Sequence, residues 1–261
     1  MLRRAGRGPL HPALRVLYAL WAAALMADVL RRTAERLQAA SGAGGHVGWM
    51  LALLALPLVW MGWGKGAAFF RAAEILWLGL LAAVAAILLL GLPRVEWRWA
   101  MEPVGTWGDS LGWGTLIMST GLFVLPYLYK VEQEPGSSRR GLGWLGALGA
   151  LSAALSALTA GLLRPVVAAA LDGPFFAAAG LLGDSARLEG LVSALWLLAD
   201  VTLAGLLARC WGERRWPALG TLLALGLALS GITERLPAAA LPLGCLALAV
   251  LTAALPPGRA K

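Results

Sequence analysis

Apolar stretches long enough to cross a bilayer recur along the whole chain, and they leave few folds open. They fall at about residues 14–33, 47–64, 72–92, 112–129, 142–163, 188–210, 217–233 and 236–255. A hydrocarbon layer about 30 Å thick needs roughly 20 helical residues to span it. Backbone in lipid must satisfy its own polar groups, and runs of this length suit helices rather than barrel strands. The pattern predicts an all-α integral membrane protein with eight transmembrane helices in one polytopic domain, residues 1–261. Only 14% of the residues are charged, against about 25% in soluble domains. Gly and Pro mark most joints: Gly42 to Gly45, Gly64 with Gly66, Pro93, Pro135 with Gly136, Pro217 and Pro237.

The net charge of +8 does not point to nucleic acid, because no basic patch is interleaved with stacking aromatics. Basic residues gather instead at the ends of the apolar runs. Of the 22 Lys and Arg residues, 14 fall on the side that carries the N-terminus, Lys65, Lys130, Arg209 and Lys261. That richer side is expected to be cytoplasmic, with both termini inside. The basic N-terminus leads into a long run holding Asp28, which reads as a first retained span rather than a cleaved signal. Cys210 and Cys245 lie far apart in sequence and suggest neither a disulfide framework nor a metal site. No H-E-x-x-H, P-loop or G-x-S-x-G occurs, so neither an enzyme nor a cofactor is expected.

Two of the runs carry polar residues that ask for a reason. Asp200 sits near the centre of the run at 188–210, where an acid costs about 2.5–3.5 kcal/mol on insertion scales. Ser193 and Glu189 lie seven and eleven residues earlier, within about 20° of it on a helix. This stripe reads either as a cavity lining or ion site, or as an acid bonded to a neighbouring helix. The run "GWGTLIMSTGLFVLPYLYK" places Ser119, Thr120 and Gly121 at its middle and Pro126 beyond. Such residues mark either a discontinuous helix that binds a ligand with freed backbone groups, or close helix packing. Asp28 with Arg32, and Arg71 with Glu74, are candidate structural ion pairs at helical spacing. The Trp-rich stretch 93–113 reads as an interfacial anchor. The stretch 164–186, broken by Gly173 and Pro174, reads as two short interfacial or re-entrant helices.

Taken together, three segments resemble a known family. They are "LYALWAAALMADVLRRTAERLQ", "FFRAAEILWLGLLAAVAAILLLGLPRVE" and "PFFAAAGLLGDSARLEGLVSALWLLADVTLAGLLAR". Their order and spacing over residues 13–233 resemble the B-type permease subunits of bacterial spore germinant receptors, in the amino acid–polyamine–organocation transporter superfamily. The matching positions are Arg71 and Glu74 opening a helix, Leu92, Pro93 and Val95 ending it, Pro174 in an outer loop, and Arg187, Leu188, Glu189 and Trp196. The resemblance implies a truncated LeuT-like bundle of five plus five inverted-repeat helices, matched from the family's third helix onward. It implies a subunit that senses a small, amino-acid-like nutrient in the bacterial cytoplasmic membrane or the spore inner membrane. A larger membrane subunit and a lipoprotein would be its partners. The alternatives are a shortened scaffold subunit without a ligand, or an unrelated small-molecule transporter. Asp200 has no counterpart in the family pattern. Its expected surroundings are a cavity where the family's first helix packs, or a partner chain.

Overall fold

The computed structural model describes residues 11–41, 46–63, 66–102, 137–171, 174–182, 186–209, 211, 216–235 and 240–254. Among them the chain is all-helical. The helices are α1 (His11–Ser41), α2 (Val47–Trp63), α3 (Gly66–Gly91, continued by a 3-10 turn at Leu92–Arg94), α4 (Trp97–Ala100) and α5 (Ser137–Leu163). There follow α6 (Pro165–Ala170), α7 (Pro174–Leu182), α8 (Ala186–Arg209), α9 (Trp216–Ser230), α10 (Ile232–Arg235) and α11 (Ala240–Ala254). The helix expected at 112–129 lies outside the described residues. The stretch after 164 does fold as two short helices, α6 and α7. The run expected to continue to residue 233 breaks sooner, because Gly231 adopts a left-handed φ of 64° that ends α9.

Among the described residues, two stretches are long and apolar enough to cross a membrane: Arg71–Arg94, of 24 residues, and Val192–Arg209, of 18. Only 17% and 28% of their apolar windows are buried within the protein. Val47–Val59, Gly149–Leu163 and Trp216–Ser230 are apolar but shorter. In α1 the stretch from Asp28 to the end carries Asp28, Arg31, Arg32, Glu35 and Arg36, which confines its apolar part to the residues before Asp28.

The described residues fall into two compact units. The first holds α1, α2, the opening of α3, α8 from Asp200 onward, and α9 to α11. Helix α1 is its centre and packs on α2, α9, α10 and α11. It buries Ala22, Ala23, Met26, Ala27 and Leu30 completely or nearly so. Facing it, α9 buries Pro217, Gly220, Thr221, Ala224 and Ala228, a stripe of small residues at three- and four-residue spacing. Small side chains on both helices let their backbones approach. The buried Thr221 hydroxyl donates to the Pro217 carbonyl one turn back at 2.9 Å, so the stripe leaves that polar atom satisfied. Two indoles use glycine as their floor. A Cβ on Gly220 would overlap the Trp211 ring, and one on Gly244 of α11 would overlap the Trp21 ring.

The second unit holds the rest of α3, α4 to α7, and α8 up to Ala199. Its core is Ile87, Val95, Leu158, Ala179, Leu182 and Val192. The ends of α3 and α5 meet here: a Cβ on Gly91 would come within 2.5 Å of Leu158 Cδ1, and one on Gly161 within 2.5 Å of Val95 Cγ1. The last carbonyls of a helix have no partner inside it, and this unit supplies several from outside. Glu96 N–H donates to the Gly161 carbonyl at 3.1 Å. Arg94 donates to the Leu181 and Leu182 carbonyls at 3.2 and 2.9 Å, placing a cation at the negative end of α7.

Candidate functional site at the charged end of the first helix

Helix α1 changes character at Asp28. From there, charges follow at spacings that bring them together on adjacent turns. Arg32 Nε donates to Asp28 Oδ1 at 3.0 Å, and Arg31 Nε to Glu35 Oε1 at 2.5 Å. Arg31 also reaches across to α9 and donates to the Ala228 carbonyl at 3.3 Å. That carbonyl belongs to the last turn of α9, so the guanidinium caps the helix from a neighbour.

Three guanidinium groups share this end of α1 with two carboxylates of the same helix. Arg36 is the one left over, and it finds its acid on α8. Its guanidinium donates to Asp200 Oδ2 at 3.2 Å. The Thr33 hydroxyl, one turn before, donates to the same oxygen at 2.9 Å. The second carboxylate oxygen, Oδ1, accepts no hydrogen bond among the described residues. The Asp200 side chain is 19% exposed and that of Arg36 42%. Thr33 is buried and lies 2.8 Å from the Val29 carbonyl as well. With one proton, its hydroxyl can serve only one of these two acceptors at a time.

Asp200 is therefore held by two donors of α1, at the level of that helix's charged end and not of its apolar middle. Of the two readings the sequence leaves open, the geometry matches an acid bonded to a neighbouring helix. The expected cavity or partner chain at this carboxylate is occupied on one oxygen by the first helix of the same chain. Ser193, seven residues earlier on α8, is half-buried and belongs with the second unit. Asp28 and Arg32 form the expected pair. Arg71 and Glu74 are both exposed, and among the described residues neither forms an ion pair. Ser119, Thr120 and Gly121 lie outside the described residues. Among the described residues no three His, Cys, Asp or Glu side chains gather as metal ligands would.

Sequence reasoning did not single out Thr33 or Arg36. The signal was there in charge counting: from Asp28 onward α1 has three Arg and two acids, and α8 has an acid at Asp200 far from any basic residue of its own helix. Several of the sequence positions that carry the family resemblance sit at helix ends, but Trp196 lies in the middle of α8, and Arg71 and Glu74, expected to open a helix, fall in the second and third turns of α3, which begins at Gly66. Pro174 opens α7, Arg187 to Glu189 fall in the first turn of α8, and Leu92 and Pro93 begin the turn that ends α3. Phe175 and Trp196 join α7 to α8 through tilted rings with centroids 5.4 Å apart. Neither a family model, nor a curated protein, nor a solved structure matches the chain.

Proposed function

We propose that the chain is a polytopic membrane subunit of the germinant-receptor permease type, one that senses a small nutrient together with a larger membrane subunit and a lipoprotein. The observation that carries the membrane part is the poor burial of Arg71–Arg94. A soluble protein hides such a helix in its core, yet only 17% of this one's apolar window is buried. Ile75, Leu78 and Leu89 are 71%, 66% and 71% exposed. Lipid removes the cost of that exposure. The permease part draws its support from the order and spacing of the matching residues, of which Leu92, Pro93, Pro174 and Arg187 to Glu189 fall at helix ends.

The candidate ligand residues are Ser119, Thr120 and Gly121, with the open Oδ1 of Asp200 as a further candidate in the same unit and Ser193 as a separate one in the second unit. A ligand that binds the folded chain at 100 times its Kd stabilises it by about 2.7 kcal/mol. Thermal unfolding of the detergent-purified chain in a panel of free amino acids and other small nutrients tests this. A raised unfolding temperature with one of them, lost on Ser119→Ala or Thr120→Ala, supports sensing. No shift with any nutrient, while the chain still co-purifies with a larger membrane subunit, supports the second reading, a scaffold without its own ligand. What favours that second reading is the bonding of Asp200 to Thr33 and Arg36, which gives the acid a structural task.

A further inference from the structure

The helices of the first unit are short for a bilayer. Helix α9 has 15 residues and rises about 22 Å, and α2 has 17 and rises about 25 Å. In α1 the 12 residues between Arg15 and Asp28, its longest stretch without a charge, rise about 18 Å. A typical hydrocarbon layer is about 30 Å thick. The Arg71–Arg94 stretch, with 24 residues, rises about 36 Å. On the membrane reading above, on which this inference rests, the two lengths adapt differently. A helix that is too long tilts. One that is too short cannot lengthen, and the bilayer thins around it instead.

Both ends of this short belt are marked. Helices α2 and α9 pack on each other, and a Cβ on Gly48 would lie 3.6 Å from Leu229 Cδ2. The start of α2 therefore meets the end of α9, and the two helices run antiparallel. Trp49, next to Gly48, is 73% exposed, and Trp216, the first residue of α9, is 58% exposed. The two indoles thus stand at opposite ends of one helix pair, as tryptophans do at the two headgroup layers of a membrane. Charge accompanies each of them. Arg31 of α1 reaches the Ala228 carbonyl in the last turn of α9, and Arg214 and Arg215 immediately precede Trp216 in sequence. Between the two ends, Leu53 and Leu56 of α2 and Leu219 and Leu222 of α9 are exposed. From Trp216 to Leu229, the level of Gly48, α9 rises about 20 Å.

We propose that the exposed face of α2 and α9 fits a bilayer of short-chain phospholipid, with hydrocarbon about 20–25 Å thick. In a thicker bilayer the first unit draws the two headgroup layers together around itself. The cost of mismatch grows with each ångström, so stability rises as the lipid approaches the height of the belt. The intact chain is reconstituted in phosphatidylcholine with monounsaturated chains of about 14, 18 or 22 carbons, and thermal unfolding is followed by circular dichroism. The unfolding temperature should fall in that order, by about 3 °C or more at each step. Trp49→Leu combined with Trp216→Leu removes both markers at exposed positions and should flatten that dependence by about half or more. The control Trp97→Leu, in the second unit, should leave it unchanged. Equal stability at every chain length overturns the proposal, as does a maximum with the middle or the longest chains. A dependence untouched by the paired variant, or flattened equally by Trp97→Leu, overturns its assignment to α2 and α9. If the paired variant does not fold, tryptophan quenching in the parent decides: brominated lipid with the shortest chains should quench more than brominated lipid with the longest, and the reverse order overturns the proposal. Alkaline carbonate extraction of membranes separates the two levels. Release of the chain overturns the membrane reading and this proposal with it, whereas a chain that stays embedded but shows no chain-length preference overturns this proposal alone.

Discussion

Replacing Arg36 by Gln should destabilise the protein more than replacing Asp200 by Asn, although each removes the same ion pair. The difference lies in what is left behind. In Asp200→Asn the amide can donate to Thr33 Oγ1, whose proton then serves the Val29 carbonyl already 2.8 Å away. Arg36, with a side chain 42% exposed, turns to water. The loss is that of a mostly solvated pair, about 0.5–1 kcal/mol. In Arg36→Gln the carboxylate stays, 19% exposed, with the Thr33 hydroxyl as its one donor. A hydrogen bond to a charged group is worth about 1.5–3 kcal/mol, and solvent screening at this partly open site lowers that to about 1–2 kcal/mol. For a chain of this size roughly 2 °C of unfolding temperature corresponds to each kcal/mol. Tryptophan-fluorescence melting in detergent should show Asp200→Asn about 1–2 °C and Arg36→Gln about 2–4 °C below the parent. The double variant should melt close to Asp200→Asn alone, because neutralising the acid removes the penalty that Arg36→Gln created. A larger drop for Asp200→Asn than for Arg36→Gln, or a double variant equal to the sum of the singles, would refute the geometry on which this reasoning stands.

Other expectations follow from backbone and packing. Gly244→Ala should cost about 1–3 kcal/mol, since its methyl meets the Trp21 ring, while Gly226→Ala, with open space around the new Cβ, should be neutral or raise stability by up to about 1 kcal/mol; melting of both variants checks the contrast. Gly231→Ala forces a Cβ into the left-handed turn at φ 64° and should lower stability by about 1 kcal/mol, read in the same assay. Arg164 sits at φ 67°, a conformation that costs a non-glycine residue about 1–3 kcal/mol. Arg164→Ala keeps that strain and loses the stacking on Trp99, whereas Arg164→Gly loses the stacking and the strain. The glycine variant should therefore melt above the alanine variant, and the reverse order would count against the left-handed φ at this position.

Most of the helices were legible because apolar length is a property of contiguous sequence. The runs at 47–64, 72–92 and 142–163 need no knowledge of what packs on them, and α2, α3 and α5 cover them. The two short helices after Arg164 were legible for a similar reason: Pro165 and Pro174 each open one, where a missing N–H costs nothing. Boundaries that depend on a single dihedral were not legible. Nothing apolar changes at Gly231, yet a left-handed residue there stops α9. Nor were pairings over long separations. Asp200 and Thr33 are 167 residues apart, and the sequence could show that the acid needed a partner without showing which helix brings one. The glycine at 244 looked like any small residue in an apolar run. Only the indole lying on it gives the reason.

These long-range pairings answer one physical need. Helices in the proposed bilayer gain little from exchanging a lipid contact for a leucine contact, so apolar stripes alone fix their register weakly. Shape and polar bonds must do it instead. Helix α1 has both, one at each end. Near its start, Tyr18 donates to the Leu248 carbonyl at 3.1 Å and Trp21 to that of Leu241 at 3.3 Å, with the Trp21 ring seated on Gly244. Near its finish, Arg31 reaches the Ala228 carbonyl, and Thr33 and Arg36 hold Asp200. A slip of α1 by one turn, about 5.4 Å, would break the contacts at both ends together. Asp200 thus costs something to embed and returns it as registry: it pins α8 against α1, whose surplus charge matches it. Lengthening α1 by four residues between Trp21 and Arg31 keeps each set of contacts on its face but separates the two sets by a turn. Such an insertion should melt well below either Gly244→Ala or Arg36→Gln, and an insertion no worse than those single changes would mean that one end alone sets the register.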